Sequence, residues 1–173
     1  MIIVLVIFSL LMFWAAYSDL KSLTLSNRLC LATASLYPMY LLTLYMADQG
    51  LPLWDVVISG AIAAAIFMIC VGFFALNIMG GGDVKLIPIV ALWAGAAHIL
   101  NFLLIMSVVG GLFAAVIIVI NRFKASKYHK SSANINLSMA EEKESAVPYG
   151  VGIAIGGLYV AYQLFTTLDN RAL

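Results

Sequence analysis

Two of this chain's acids fall where long apolar runs end: Asp19 follows the run that begins at Ile2, and Asp83 precedes the one that begins at Leu86. A carboxylate at a membrane boundary is costly to keep there and is a functional candidate by default. Two of them on one side of a membrane are the minimum for hydrolysis by a carboxyl pair. When both lie within hydrogen-bond reach of one water, like-charge repulsion splits their titration, so one keeps its proton while the other is ionised. The ionised group takes a proton from the water as it attacks a peptide carbonyl; the protonated group steadies the oxygen and later helps expel the amine. The same pair fits a second chemistry, because acids in membranes also mark proton and cation paths. Both readings stand at this point, with a non-catalytic assembly subunit as a third.

The neighbours of Asp83 favour a peptide. Gly80, Gly81 and Gly82 precede it, and three glycines at a bilayer edge cost backbone entropy while offering no side chain to bury. They make sense where the backbone bends sharply or another chain lies close, and for a peptidase they leave room for an extended substrate. A helix starting just after Asp83 would favour the ionised carboxylate through its free N–H groups and dipole. Lys85 has two readings: a cation that tunes Asp83 or holds a polar part of a substrate, and an interfacial lysine whose stem snorkels. Asp19 ends the first run, and the polar segment through Asn27 allows a turn, with Ser26 or Asn27 as N-cap of the next helix. Asp48, Asp55 and Asp169 fall in short loops or the tail, where water solvates them. His98 and His129 have no partner at ligand spacing, so no metal and no cofactor is expected.

The elements that must position these carboxylates are membrane helices. Apolar residues make up 64% of the chain and charged ones 10%, against about half and a quarter in soluble domains, which excludes a soluble fold. A net charge of +1 without interleaved basic and aromatic residues excludes nucleic acid as a partner. Crossing the hydrocarbon takes about 20 apolar residues. Six runs meet or approach that length: Ile2 to Ser18, Leu29 to Met46 with Pro38 as a kink, Val56 to Leu76, Leu86 to Ala97, Phe102 to Ile120, and Val147 to Leu168. The reading is an all-α polytopic bundle of about six transmembrane helices, forming one domain over 1–173.

Lys and Arg set the orientation. Lys21, Arg28, Lys85, Arg122, Lys124, Lys127, Lys130 and Lys143 all fall in the first, third and fifth loops, leaving only Arg171 on the other side. Both termini are therefore expected outside, with Asp19 and Asp83 at the cytoplasmic face of the cell membrane. Residues 121–146 form the one sizeable hydrophilic loop, in which Ser138 and Glu141 have capping-box spacing. The stretch from Met1 to Tyr17 lacks the basic start of a secretory signal and reads as a helix. Cys30 and Cys70 make no C-x-x-C pair and read as small buried hydrophobes. Gly152-x-x-x-Gly156 and Ala61-x-x-x-Ala65 have the spacing of close helix contacts, expected within the bundle.

At the residues around the two acids the chain resembles the type IV prepilin peptidases, a branch of the GxGD membrane aspartyl proteases. Gly80-Gly81-Gly82-Asp83-Val84-Lys85 fits the family's G-x-G-D-x-K pattern, with Gly80 and Gly82 as its glycines. Tyr17-Ser18-Asp19-Leu20, with Asn27 following, is similar to the family's first-aspartate segment, and Val147-Pro148-Tyr149-Gly150 to its late Pro-Tyr-Gly segment. Leu25-Ser26-Asn27 stands where the family commonly has Ile-Pro-Asn, which softens that turn without touching the carboxylate. The resemblance implies that Asp19 and Asp83 are catalytic, with Gly80, Gly81, Gly82, Lys85 and Asn27 in substrate binding or structural support. It implies a pilin or pseudopilin precursor as substrate, cut between its basic leader and its apolar helix. Paired C-x-x-C motifs of the methylating members are absent, so the resemblance is to the short, peptidase-only kind serving tight-adherence (Flp-type) pili. The bilayer is the other partner implied; no oligomeric state is.

Overall fold

The computed structural model describes residues 1–22, 24–128 and 149–172. All of their regular structure is helical: α1 (Ile2–Ser22), α2 (Asn27–Met46), α3 (Leu53–Ala75), α4 (Gly81–Tyr128) and α5 (Tyr149–Ala172). These five are long and apolar enough to cross a membrane, and helices are what such runs must form, since lipid leaves every backbone N–H and C=O to be satisfied within the segment. The chain is a multi-pass membrane protein. Ser26 is the N-cap of α2, its hydroxyl accepting from the Leu29 N–H at 3.3 Å. Pro38 sits inside α2 without ending it.

The fourth and fifth apolar runs share one helical stretch. They are nevertheless two rods, because Gly95 inside α4 has φ 56° and ψ −171°, a left-handed backbone that glycine adopts without steric cost. Contacts with α5 show that the chain reverses there. Val90, before Gly95, lies against Gly157; Phe102, after it, lies against Gly156; and Gly110 is back beside Gly152 and Tyr149. Counting the two arms of α4 separately recovers the six expected segments. The turn comes before the expected gap, so His98 lies within α4 and not in a loop.

Several boundaries also move outward. Asp55 is in the first turn of α3 and Asp169 is within α5. The expected hydrophilic loop 121–146 begins as helix, with α4 continuing to Tyr128; lysine, arginine and alanine are good helix formers, and cations suit a helix C-terminus. Residues 129–146, with His129, Ser138 and Glu141, lie outside the described residues.

The core centres on Trp93 of α4. Its ring lies 4.4 Å from that of Phe8 in α1 and 5.5 and 5.4 Å from those of Tyr37 and Tyr40 in α2. Its indole N–H donates to the Thr33 carbonyl at 3.2 Å, which satisfies its one polar atom in an apolar setting. α5 packs on α1 and α4 through glycines: a Cβ at Gly152 would fall 2.8 Å from the Met106 carbonyl oxygen, and one at Gly156 2.8 Å from the Phe102 ring. The other small-residue pair behaves differently from expectation. Ala61 and Ala65 are exposed, because α3 turns the face carrying Ser59, Ile62, Ile66 and Cys70 inward and leaves the alanines facing away from the bundle.

Candidate active site

The inward face of α1 repeats every three or four residues: Leu5, Phe8, Met12, Ala15, then Asp19, all buried. The acid therefore continues the packing stripe instead of leaving it at the membrane edge. Its Oδ2 accepts a hydrogen bond of 2.7 Å from the Gly150 backbone N–H, and the Val151 N–H also bonds to the carboxylate. These amides belong to the first turn of α5, whose orphan N–H groups and positive dipole end suit a carboxylate. A Cβ at position 150 would fall 2.7 Å from both Cγ and Oδ2 of Asp19; only glycine lets the backbone come this near.

Asp83 is arranged in a parallel way on α4. The Gly80 carbonyl accepts from the Val84 N–H at 3.2 Å, so the helix starts before Asp83 and not after it, placing the acid in the first turn. Its Oδ2 turns back over Gly80, 3.3 Å from where a Cβ would stand. Despite their places near helix ends, Asp19 and Asp83 are only 4% and 9% exposed, and they lie within Coulombic range of each other. Two buried carboxyl groups, each at a helix N-terminus and each feeling the other, form the polar centre of this end of the bundle.

The three glycines have distinct surroundings. At Gly82 a Cβ would fall 2.7 Å from the Leu25 Cβ and 3.2 Å from its backbone N, so the segment lying close is the chain's own α1–α2 connector, which fills the space at that residue. Gly80 and Gly81 are exposed. The connector is held in turn by Ser18, whose hydroxyl donates to the Thr24 carbonyl at 3.0 Å. Lys85, read as a neighbour of Asp83, reaches across to α2 and donates to Asn27 Oδ1 at 2.8 Å. Asn27 and Lys85 are thus brought together beside the acids, on the exposed side. Cys30 and Cys70 are buried free thiols, and both lie in Coulombic range of Asp83, a convergence their separation in sequence conceals. Among the described residues no group of three or more His, Cys, Asp or Glu gathers as a metal site would.

A model of the type IV leader peptidase family matches residues 6–115. The chain belongs to that family. The leader peptidase match contains Asp19, Asn27, Gly80 to Gly82, Asp83 and Lys85, and stops short of Gly150, whose amide holds Asp19. No curated protein and no solved structure matches the chain. Gly150 and Val151 are the site residues that the sequence reading did not single out; the trace they leave there is the Pro148-Tyr149-Gly150 segment.

Proposed function

We propose that this leader peptidase is an aspartyl endopeptidase in which Asp19 and Asp83 share one water. The observation that carries the reading is the convergence of both buried carboxyl groups at one end of the bundle, within Coulombic range. In the reaction the ionised carboxylate accepts a proton from the water as its oxygen bonds to the scissile carbonyl carbon. The protonated partner donates to the carbonyl oxygen; collapse of the tetrahedral species breaks the C–N bond, and the amine leaves with a proton. The substrate is a pilin or pseudopilin precursor of the Flp type, cut between its basic leader and its apolar helix. On this reading the site faces the cytoplasm at the inner membrane, an orientation that the Lys and Arg distribution supports.

Coexpression with such a precursor tests this. Asp19→Asn and Asp83→Asn each lower leader removal by about 10²- to 10⁴-fold, the usual contribution of a positioned acid or base, while both variants still insert. Processing at the wild-type rate by either would sink the proposal; cation-dependent flux through the protein, with no change in the precursor's mass, would favour the ion path instead.

A further inference from the structure

α2 packs on α1 and on α4, and α3 packs on α4, but α2 and α3 make no comparable contact with each other. Between them runs an open groove of about 480 Å³ with the first arm of α4 as its floor. Its walls are apolar: Leu31 and Ala34 come from α2, Phe67 from α3 and Ile89 from α4. Leu31 and Phe67 are 71% and 42% exposed, so the groove opens sideways, where the bilayer lies. Only one end is polar. There the lining includes Asn27 and Lys85, joined at 2.8 Å, and Cys30, which also lines the groove, lies in Coulombic range of both Lys85 and Asp83.

We propose that this groove is the berth of the substrate's apolar helix, and that the Asn27–Lys85 pair marks where the helix must end and the cleavable segment begin. The inference rests on the peptidase reading of Asp19 and Asp83. An apolar helix with a polar extended segment at one end matches the groove in order, with apolar walls first and then hydrogen-bonding groups beside a carboxyl pair. A second groove, of about 310 Å³ between α1 and α5, supplies the contrast. It too is open on one side, but Ile2, Leu10 and Phe165 line it, toward the end of the bundle away from Asp19. An acyl chain fits either groove; a peptide delivered to the carboxyl pair fits only the first. The room between α2 and α3 accepts a row of side chains, so the substrate helix lies along the mouth and inserts one face, as membrane helices pair by close packing.

Site-specific photocrosslinking tests the berth. A benzophenone amino acid is placed at Ala34, and separately at Leu10 in the second groove, in full-length Asp83→Asn protein coexpressed with a Flp-type precursor in membranes. Adducts with the uncut precursor from position 34 and not from position 10 are expected. In otherwise wild-type protein, Ala34→Trp fills the groove and raises KM for the membrane-embedded precursor on the order of tenfold with kcat retained, the mark of lost uniform binding. Leu10→Trp leaves both constants unchanged. Adducts from position 34 only with lipid or with a second copy of this chain, together with a wild-type KM for Ala34→Trp, would overturn the proposal. Failure of the peptidase reading looks different: the wild-type protein leaves the precursor uncut, whatever position 34 captures.

Discussion

A methyl group on residue 150 would stand 2.7 Å from Cγ and 2.9 Å from Cβ of Asp19, inside the contact distance of two carbons. The carboxylate or the start of α5 would have to move. Gly150→Ala is therefore expected to lower kcat of leader removal by about 10²-fold, the cost of misplacing a catalytic group by an ångström, with KM for the precursor close to wild type because the berth lies elsewhere. Steady-state processing in vesicles measures this; an unchanged kcat would show that Asp19 tolerates displacement. Asp19 and Asp83 could be singled out from sequence because a charge at the edge of an apolar run is conspicuous by itself. Gly150 entered only as the end of the Pro-Tyr-Gly segment and without a role, since what calls for a glycine there is a side chain 131 residues away, and no local pattern encodes a contact between the first helix and the last. The Lys85–Asn27 bond, spanning 58 residues, was hidden for the same reason.

At the scale of helices, the seam between α4 and α5 is closed by backbone against backbone. A side chain at Gly152 would meet the Met106 carbonyl oxygen at 2.8 Å and the Gly110 N at 3.0 Å, atoms that cannot swing aside as a side chain tip can. Gly152→Leu is expected to cost about 1–3 kcal/mol, as overpacking does, and to displace the second arm of α4; a lower Tm in detergent, with loss of processing in proportion to unfolding, reads it out. A melting curve equal to wild type would mean that the seam is looser than it looks. Small-residue spacing was legible in the sequence at Gly152 and Gly156 and correctly marked a close contact. The same spacing at Ala61 and Ala65 marked an exposed strip, because spacing says that a neighbour can approach without saying which helix face the rest of the chain covers. The six runs were legible from hydropathy, yet the turn at Gly95 was not, since any glycine in an apolar run is compatible with helix until its backbone takes a positive φ.

Taken whole, the molecule places both ends of its described chain on one side. Ile2 of α1 and Phe165 of α5 line the same groove, while Asp19 and Gly150 meet at the other end of the same two helices. An even number of passes follows, in keeping with the distribution of Lys and Arg. A reporter active only outside the cytoplasm is expected to work when fused after Leu173 and to be silent when inserted within 129–146; the opposite pattern would move the carboxyl pair to the outer face. The first arm of α4 adds a constraint of its own. From Gly81 to its reversal at Gly95 it rises about 21 Å at ~1.5 Å per residue, against roughly 30 Å of hydrocarbon. Most of this arm is buried, Leu86, Val90, Ala91 and Trp93 among its residues, so lipid meets it only along the groove between α2 and α3, where thinning of the bilayer accommodates a short span. On the proposed reading of Asp83, which sits in the first turn of that arm, such a dip in the aqueous boundary would carry the water of hydrolysis down to the acids from the membrane surface.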